Sequence, residues 1–94
     1  MESQVSRSVI TVVGKDNKGV VAKVSSLASK LNINIEDITQ KLLQDMFCMI
    51  MLVDVSECSV PQNELVEEFT KLGQDMAMEI HVTRFEVFEA MHKI

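Results

Sequence analysis

Ser8–Leu31 reads SVITVVGKDNKGVVAKVSSLASKL, and a change of period at its middle decides the fold. Its first six residues, SVITVV, are rich in β-branched side chains and stop at Gly14, the pattern of a buried strand. Beyond the polar Lys15–Lys18 and Gly19, apolar residues return at Val20, Val21, Val24, Leu27, Ala28 and Leu31. Such intervals draw one stripe down a helix, with Lys23, Ser25, Ser26, Ser29 and Lys30 on the opposite side. Asn32 follows the last stripe residue and is one of the two residue types that readily take a left-handed helix stop. The stretch therefore reads as a strand, a short loop and an amphipathic helix.

Downstream, Ile33–Leu43 (INIEDITQKLL) alternates at first and then slips around Asp37–Ile38, where a bulge is expected. Gln44–Asp45 is placed to turn a hairpin into Phe47–Val55 (FCMIMLVDV). That run is apolar on both faces, as a central strand is, and Cys48 within it is expected to face the core. After a loop at Ser56–Val60, Pro61 suits a first helical turn, and Ser59 with Gln62 fits a capping box. Leu65, Val66, Phe69 and Leu72 make the second helical stripe, with Gly73 as its expected C-terminal cap. Met78, Ile80 and Val82 alternate with Glu79, His81 and Thr83 in a half-exposed last strand. The ending, Phe85–Ile94, adds a short helical turn carrying Phe88, Met91 and Ile94.

The order strand–helix–strand–strand–helix–strand predicts an α+β, ferredoxin-like βαββαβ fold. Right-handed crossovers give a four-stranded antiparallel sheet in the order 4-1-3-2, with two helices on one face. Polarity agrees: strands 1 and 3 are the most apolar, while strands 2 and 4 carry Glu36, Gln40, Lys41, Glu79 and Arg84, as edges do. With 94 residues there is room for one domain, read as residues 8–94 behind a flexible arm at 1–7.

Composition narrows the function. A formal charge of −5 without a Lys/Arg run repels a phosphate backbone, so nucleic acid is not the expected partner. The longest apolar run, Met46–Val53, is too short to span a bilayer, so no membrane partner is expected. Met1–Arg7 lacks the apolar centre of a signal peptide, and cytoplasmic residence is the expectation. Cys48 and Cys58 then read as two free thiols rather than a disulfide or a metal pair. Seven Met with no Trp or Tyr point to an adaptable core or a hidden interface.

Catalytic constellations are not visible. Gly14–Gly19 (GKDNKG) has the outline of a P-loop, but Val20 and Val21 stand where Lys and Ser/Thr should hold phosphate and magnesium. What remains is a helix start next to flexible glycine, which reads either as a site for an anion or carboxylate or as a permissive turn. Glu64, Glu67 and Glu68 fall on the exposed side of the second helix. His81 and His92 lack partners at metal-binding spacing, and no serine sits in a G-x-S-x-G elbow. No enzyme, no metal and no cofactor is expected.

Three stretches, Val12–Ser25 (VVGKDNKGVVAKVS), Leu31–Gln40 (LNINIEDITQ) and Phe88–Ile94 (FEAMHKI), resemble the ACT-domain family, and more narrowly its stand-alone UPF0237 proteins. Beyond the arm, the resemblance runs over nearly the whole chain. It implies a regulatory domain that senses a small ligand, commonly an amino acid, and works as a homodimer or through a partner protein. It also implies a ligand site where the first strand-to-helix loop meets the start of strand 2, at Asp16, Asn17, Lys18, Gly19, Val20, Asn34 and Ile35. Those types suit a zwitterion: Asp16 accepts from an ammonium, Gly19 and Val20 offer backbone N–H groups to a carboxylate, and the Asn34 amide does both. Many such sites place Pro before the loop glycine, where this chain has Lys18. The other reading is an interaction subunit that keeps the fold and binds no ligand.

Overall fold

A computed structural model describes residues 5–15 and 18–92. Four strands, β1 (Arg7–Gly14), β2 (Asn34–Leu43), β3 (Met46–Asp54) and β4 (Glu79–Arg84), alternate with α1 (Val20–Lys30) and α2 (Gln62–Met76), and a short α3 (Phe85–Met91) follows. The sheet runs β2-β3-β1-β4, every neighbouring pair antiparallel, which is the expected 4-1-3-2 order. The apolar stripes explain the layering. Val20, Val24 and Ala28 of α1 and Leu65 and Phe69 of α2 are buried against Ile10, Val12, Met49, Met51 and Val53 of the central strands.

Helix ends show where local chemistry decided the structure. Asn32 takes φ 62° as the left-handed stop of α1, with Ile33 N–H donating to Ala28 O at 2.8 Å and Asn32 N–H to Ser29 O at 3.1 Å. The end of α2 repeats this pattern one turn later than expected. Ala77 takes φ 56° and Met78 N–H donates to Gly73 O at 2.8 Å, so Gly73 is inside the helix and is not its cap. A Cβ at Gly73 would lie 2.8 Å from Met78 O and 3.1 Å from Ile80 Cγ1, so glycine serves the close approach of α2 to β4. The capping box also does not form: Pro61 is the N-cap residue, and the Ser59 hydroxyl donates instead to Leu31 O at 3.2 Å. Ser59 stands two residues ahead of the N-cap, too early to reach the first turn.

The bulge lies at Glu36, between Ile35 and Asp37, slightly earlier than the alternation suggested. The Gln44–Asp45 turn joins the closing pair Leu43–Met46, with Gln44 at φ 58°. Cys48 corrects the expectation of a core thiol. On β3 the buried residues are Phe47, Met49, Met51 and Val53, so Cys48, Ile50 and Leu52 turn to the other face of the sheet. Val9, 3% exposed, also lies outside the main core cluster. α3 packs on β1 and β4. No helix among the described residues is long and apolar enough to cross a membrane.

Candidate functional site

The described residues read as a ligand site fall at opposite ends of the sheet. Arg7, Asp54 and Asn34 form one transverse row, and Gly14, Phe47 and Leu42 form another seven residues along β1. At about 3.3 Å per residue the rows are about 23 Å apart. Because β2 runs parallel to β1, α1 must travel the length of the sheet between the loop and strand 2. Gly19 and Val20 therefore sit at one end, with Lys18 exposed beside them, while Asn34 and Ile35 sit at the other. Asp16 and Asn17 lie outside the described residues.

At the loop end, Gly19 is the N-cap residue of α1 at φ 71°, a left-handed conformation that costs glycine nothing. No described side chain caps this helix, and its first turn carries no acid. The N–H groups that precede the Lys23-to-Gly19 bond are thus oriented outward with the positive end of the helix dipole. Around the same end, Val13, Gly14, Met46, Met76 and Met78 line a largely apolar cavity of about 740 Å³.

At the Asn34 end the surroundings are polar. Asn32, Asn34, Asp54, Ser56 and Glu57, with Val5 and Ile33, line a cavity of about 610 Å³. Ser56 N–H donates to Asp54 Oδ1 at 2.9 Å, and Ser6 N–H donates to Ser56 Oγ at 2.9 Å. Bonding from the Ser56 hydroxyl, then from its amide, holds the Asp54 carboxyl below its ordinary value. Next to it, Arg7 Nε meets Glu36 Oε1 at 2.6 Å, and this bond raises the guanidinium above its usual value. The Asn32 amide donates to Glu57 O at 2.9 Å, joining two residues of the cavity lining.

Sequence reasoning missed Asp54, Ser56 and Glu57. The signal for part of it was present: Asp54-Val55-Ser56 is an Asx-turn pattern, in which the carboxylate accepts from the amide two residues on. Nothing in the pattern says that this turn faces Asn34. The remaining chemistry-bearing residues stay dispersed. Cys48 and Cys58 are free thiols, and among the described residues no group of three or more His, Cys, Asp or Glu is placed to hold a metal.

Comparison with known proteins bears on these two ends. A family profile described as the ACT domain matches residues 6–83. A UPF0237 protein of Methanopyrus kandleri is 44% identical over 95% of this chain and 99% of its own length. Another, of Listeria innocua, is 43% identical over 94% of this chain and 99% of that protein. Among solved structures, an ACT domain protein from Streptococcus pneumoniae superposes with a TM-score of 0.80 at 37% identity, covering 95% of this chain and all of that one. A putative glycine cleavage system transcriptional repressor superposes with a TM-score of 0.72 at 27% identity, over 87% of this chain and 47% of that one.

Proposed function

The chain belongs to the ACT-domain family and its UPF0237 group, and from that premise we propose that it is a regulatory sensor of a small ligand, an amino acid, working as a homodimer. It performs no catalysis of its own and acts in the cytoplasm by changing its own assembly or its affinity for a partner protein. The observation that carries this reading is the separation of Gly19–Val20 from Asn34 along the sheet. One chain cannot close both around one small molecule. β2 is an edge strand, ten residues long and exposed almost throughout, with Ile38 exposed at its middle. Antiparallel pairing of two β2 edges about a two-fold axis sets the Asn34 end of each copy beside the Gly19 end of the other. Two equivalent sites follow, each drawing on both chains. The repressor likeness supports a regulatory role.

The test is complementation. A thermal-shift screen of amino acids should yield a hit that raises Tm by several degrees, since a ligand at a hundred times its Kd adds about 2.7 kcal/mol. Asn34→Ala and Gly19→Val homodimers should each lose the hit. Mixed dimers should regain half of the sites, because one of the two then carries neither change. A monomer in solution, or loss without regain on mixing, would sink the shared site. A second reading has its own support: Val13, Met46 and Ile50 on the second sheet face and Val87 and Met91 on α3 are exposed apolar residues suited to a protein partner. A flat screen with a stable dimer would favour that interaction subunit.

A further inference from the structure

The face of the sheet turned away from α1 and α2 carries an apolar patch with a charge on each margin. On β3, Met46, Cys48 and Ile50 point this way, opposite the set buried under the helices. Cross-strand partners share a face, so the register draws one row through Cys48: Lys41 on β2, Cys48 on β3, Val13 on β1 and Glu79 on β4. Val13, Met46 and Ile50 are 36%, 38% and 44% exposed at the centre of this patch. The row ends in opposite charges, both exposed, Lys41 on one edge strand and Glu79 on the other. The Glu79 carboxylate lies 3.3 Å from His81 Nε2 on its own strand, and its side chain is 77% exposed. α3 leaves β4 at Arg84, which pairs with Ser8, about 16 Å along β1 from this row.

We propose that this face binds a second copy of the chain, sheet against sheet, about a two-fold axis that runs along the strands between β3 and β1. Such an axis exchanges the two margins of the sheet. Lys41 of each copy is thereby set over Glu79 of the other, and Cys48 over Val13. A two-fold lying along the row would instead stack each charge on its own copy, so the pattern of charge selects the axis. The geometry is within reach. Lys41 and Glu79 stand about 7 Å either side of the axis, and packed sheets lie about 10 Å apart and cross at about 30°. That crossing displaces the opposed charges by about 4 Å, which the long lysine stem spans. An apolar centre inside a charged margin is also the usual anatomy of a contact between proteins. This contact goes beyond the edge pairing of β2 and uses a different surface.

Sedimentation velocity over a concentration series reads the assembly of the full chain. Ile50→Lys puts a charge at the exposed centre of the patch and should halve the mass seen at high concentration. Lys41→Glu sets like charges over each other, as does Glu79→Lys, so each should raise the Kd of self-association by about tenfold. Mixing those two single variants restores both opposite pairs, and the mixture should associate as tightly as wild type. The edge pairing of β2 is read in the same series. A tetramer that Ile50→Lys reduces to a dimer has both contacts. A dimer that Ile50→Lys reduces to a monomer has the face contact alone, which ends the shared ligand site and leaves this contact standing. A mass indifferent to Ile50→Lys leaves the face to a different protein and overturns the proposal. A monomer at every concentration, or single variants that mixing does not rescue, overturns it as well.

Discussion

The two ends of the sheet are built by different physics. At the loop end, shape decides: Gly14 and Gly73 let Met78 and β4 approach so closely that an added Cβ at Gly14 would collide with Met78 Sδ. At the Asn34 end, hydrogen bonds decide: Asp54 to Ser56, Ser6 to Ser56, Asn32 to Glu57 and Arg7 to Glu36 hold loops that bury little. The contrast is sharpest at the helix stops. α1 and α2 end in the same left-handed motif, but α1 stops on Asn32, whose side chain bonds Glu57 O, and α2 stops on Ala77, which has nothing to bond. A packed end resists change through volume, and a polar end through charge and geometry.

The largest effect should come from the packed end. Met78→Ala removes a nearly buried side chain between β1 and α2, and urea denaturation should show a loss of about 2–5 kcal/mol, whatever the pH. A loss under about 1 kcal/mol would mean that this end is not packed as described. Smaller and opposite effects should separate the helix stops. Asn32→Ala should cost about 1–2 kcal/mol, from an L-residue forced left-handed plus a lost hydrogen bond, whereas Ala77→Gly should gain about 0.5–1 kcal/mol. If both stops respond alike, the Asn32–Glu57 bond contributes nothing.

The smallest effect in stability is also the one with a pH signature. Asp54 has its folded value lowered, so the stability it adds is present above the unfolded value of about 3.9 and is lost as pH falls through the folded value. The Tm difference between wild type and Asp54→Asn should therefore be constant near neutrality and shrink only in acid. A difference that grows toward low pH would reverse the sign and remove Ser56 as the cause.

Much of the fold was legible because α1 keeps one helical period and β1 and β3 are continuous apolar runs. Val20 through Leu31 repeat as a helix must, and the richest apolar runs became the central strands. The same richness hid the facing of β3. With Cys48, Ile50 and Leu52 as apolar as Met49 and Met51, alternation offered no sign of which set faced the helices. Gly73 misled for another reason, since a glycine near a helix end fits a cap as well as a close crossing, and only the position of Ile80 distinguishes them. The site was legible in part. Gly19 could be picked as a helix start from its neighbours, but the polar cavity joins Val5, Asn32–Asn34 and Asp54–Glu57, segments that no local pattern connects.

α3 is fastened to β1 and β4 and buries none of its own residues, and it is not part of the core that α1 and α2 close over the sheet. Its detachment would leave the layer between the long helices and the sheet dry. This short helix is thus a separate unit of opening, whose amide protons can exchange with solvent on a faster clock than those of β1. A molecule that grips or releases this short helix changes the surface beside β1 and β4 without first loosening the domain.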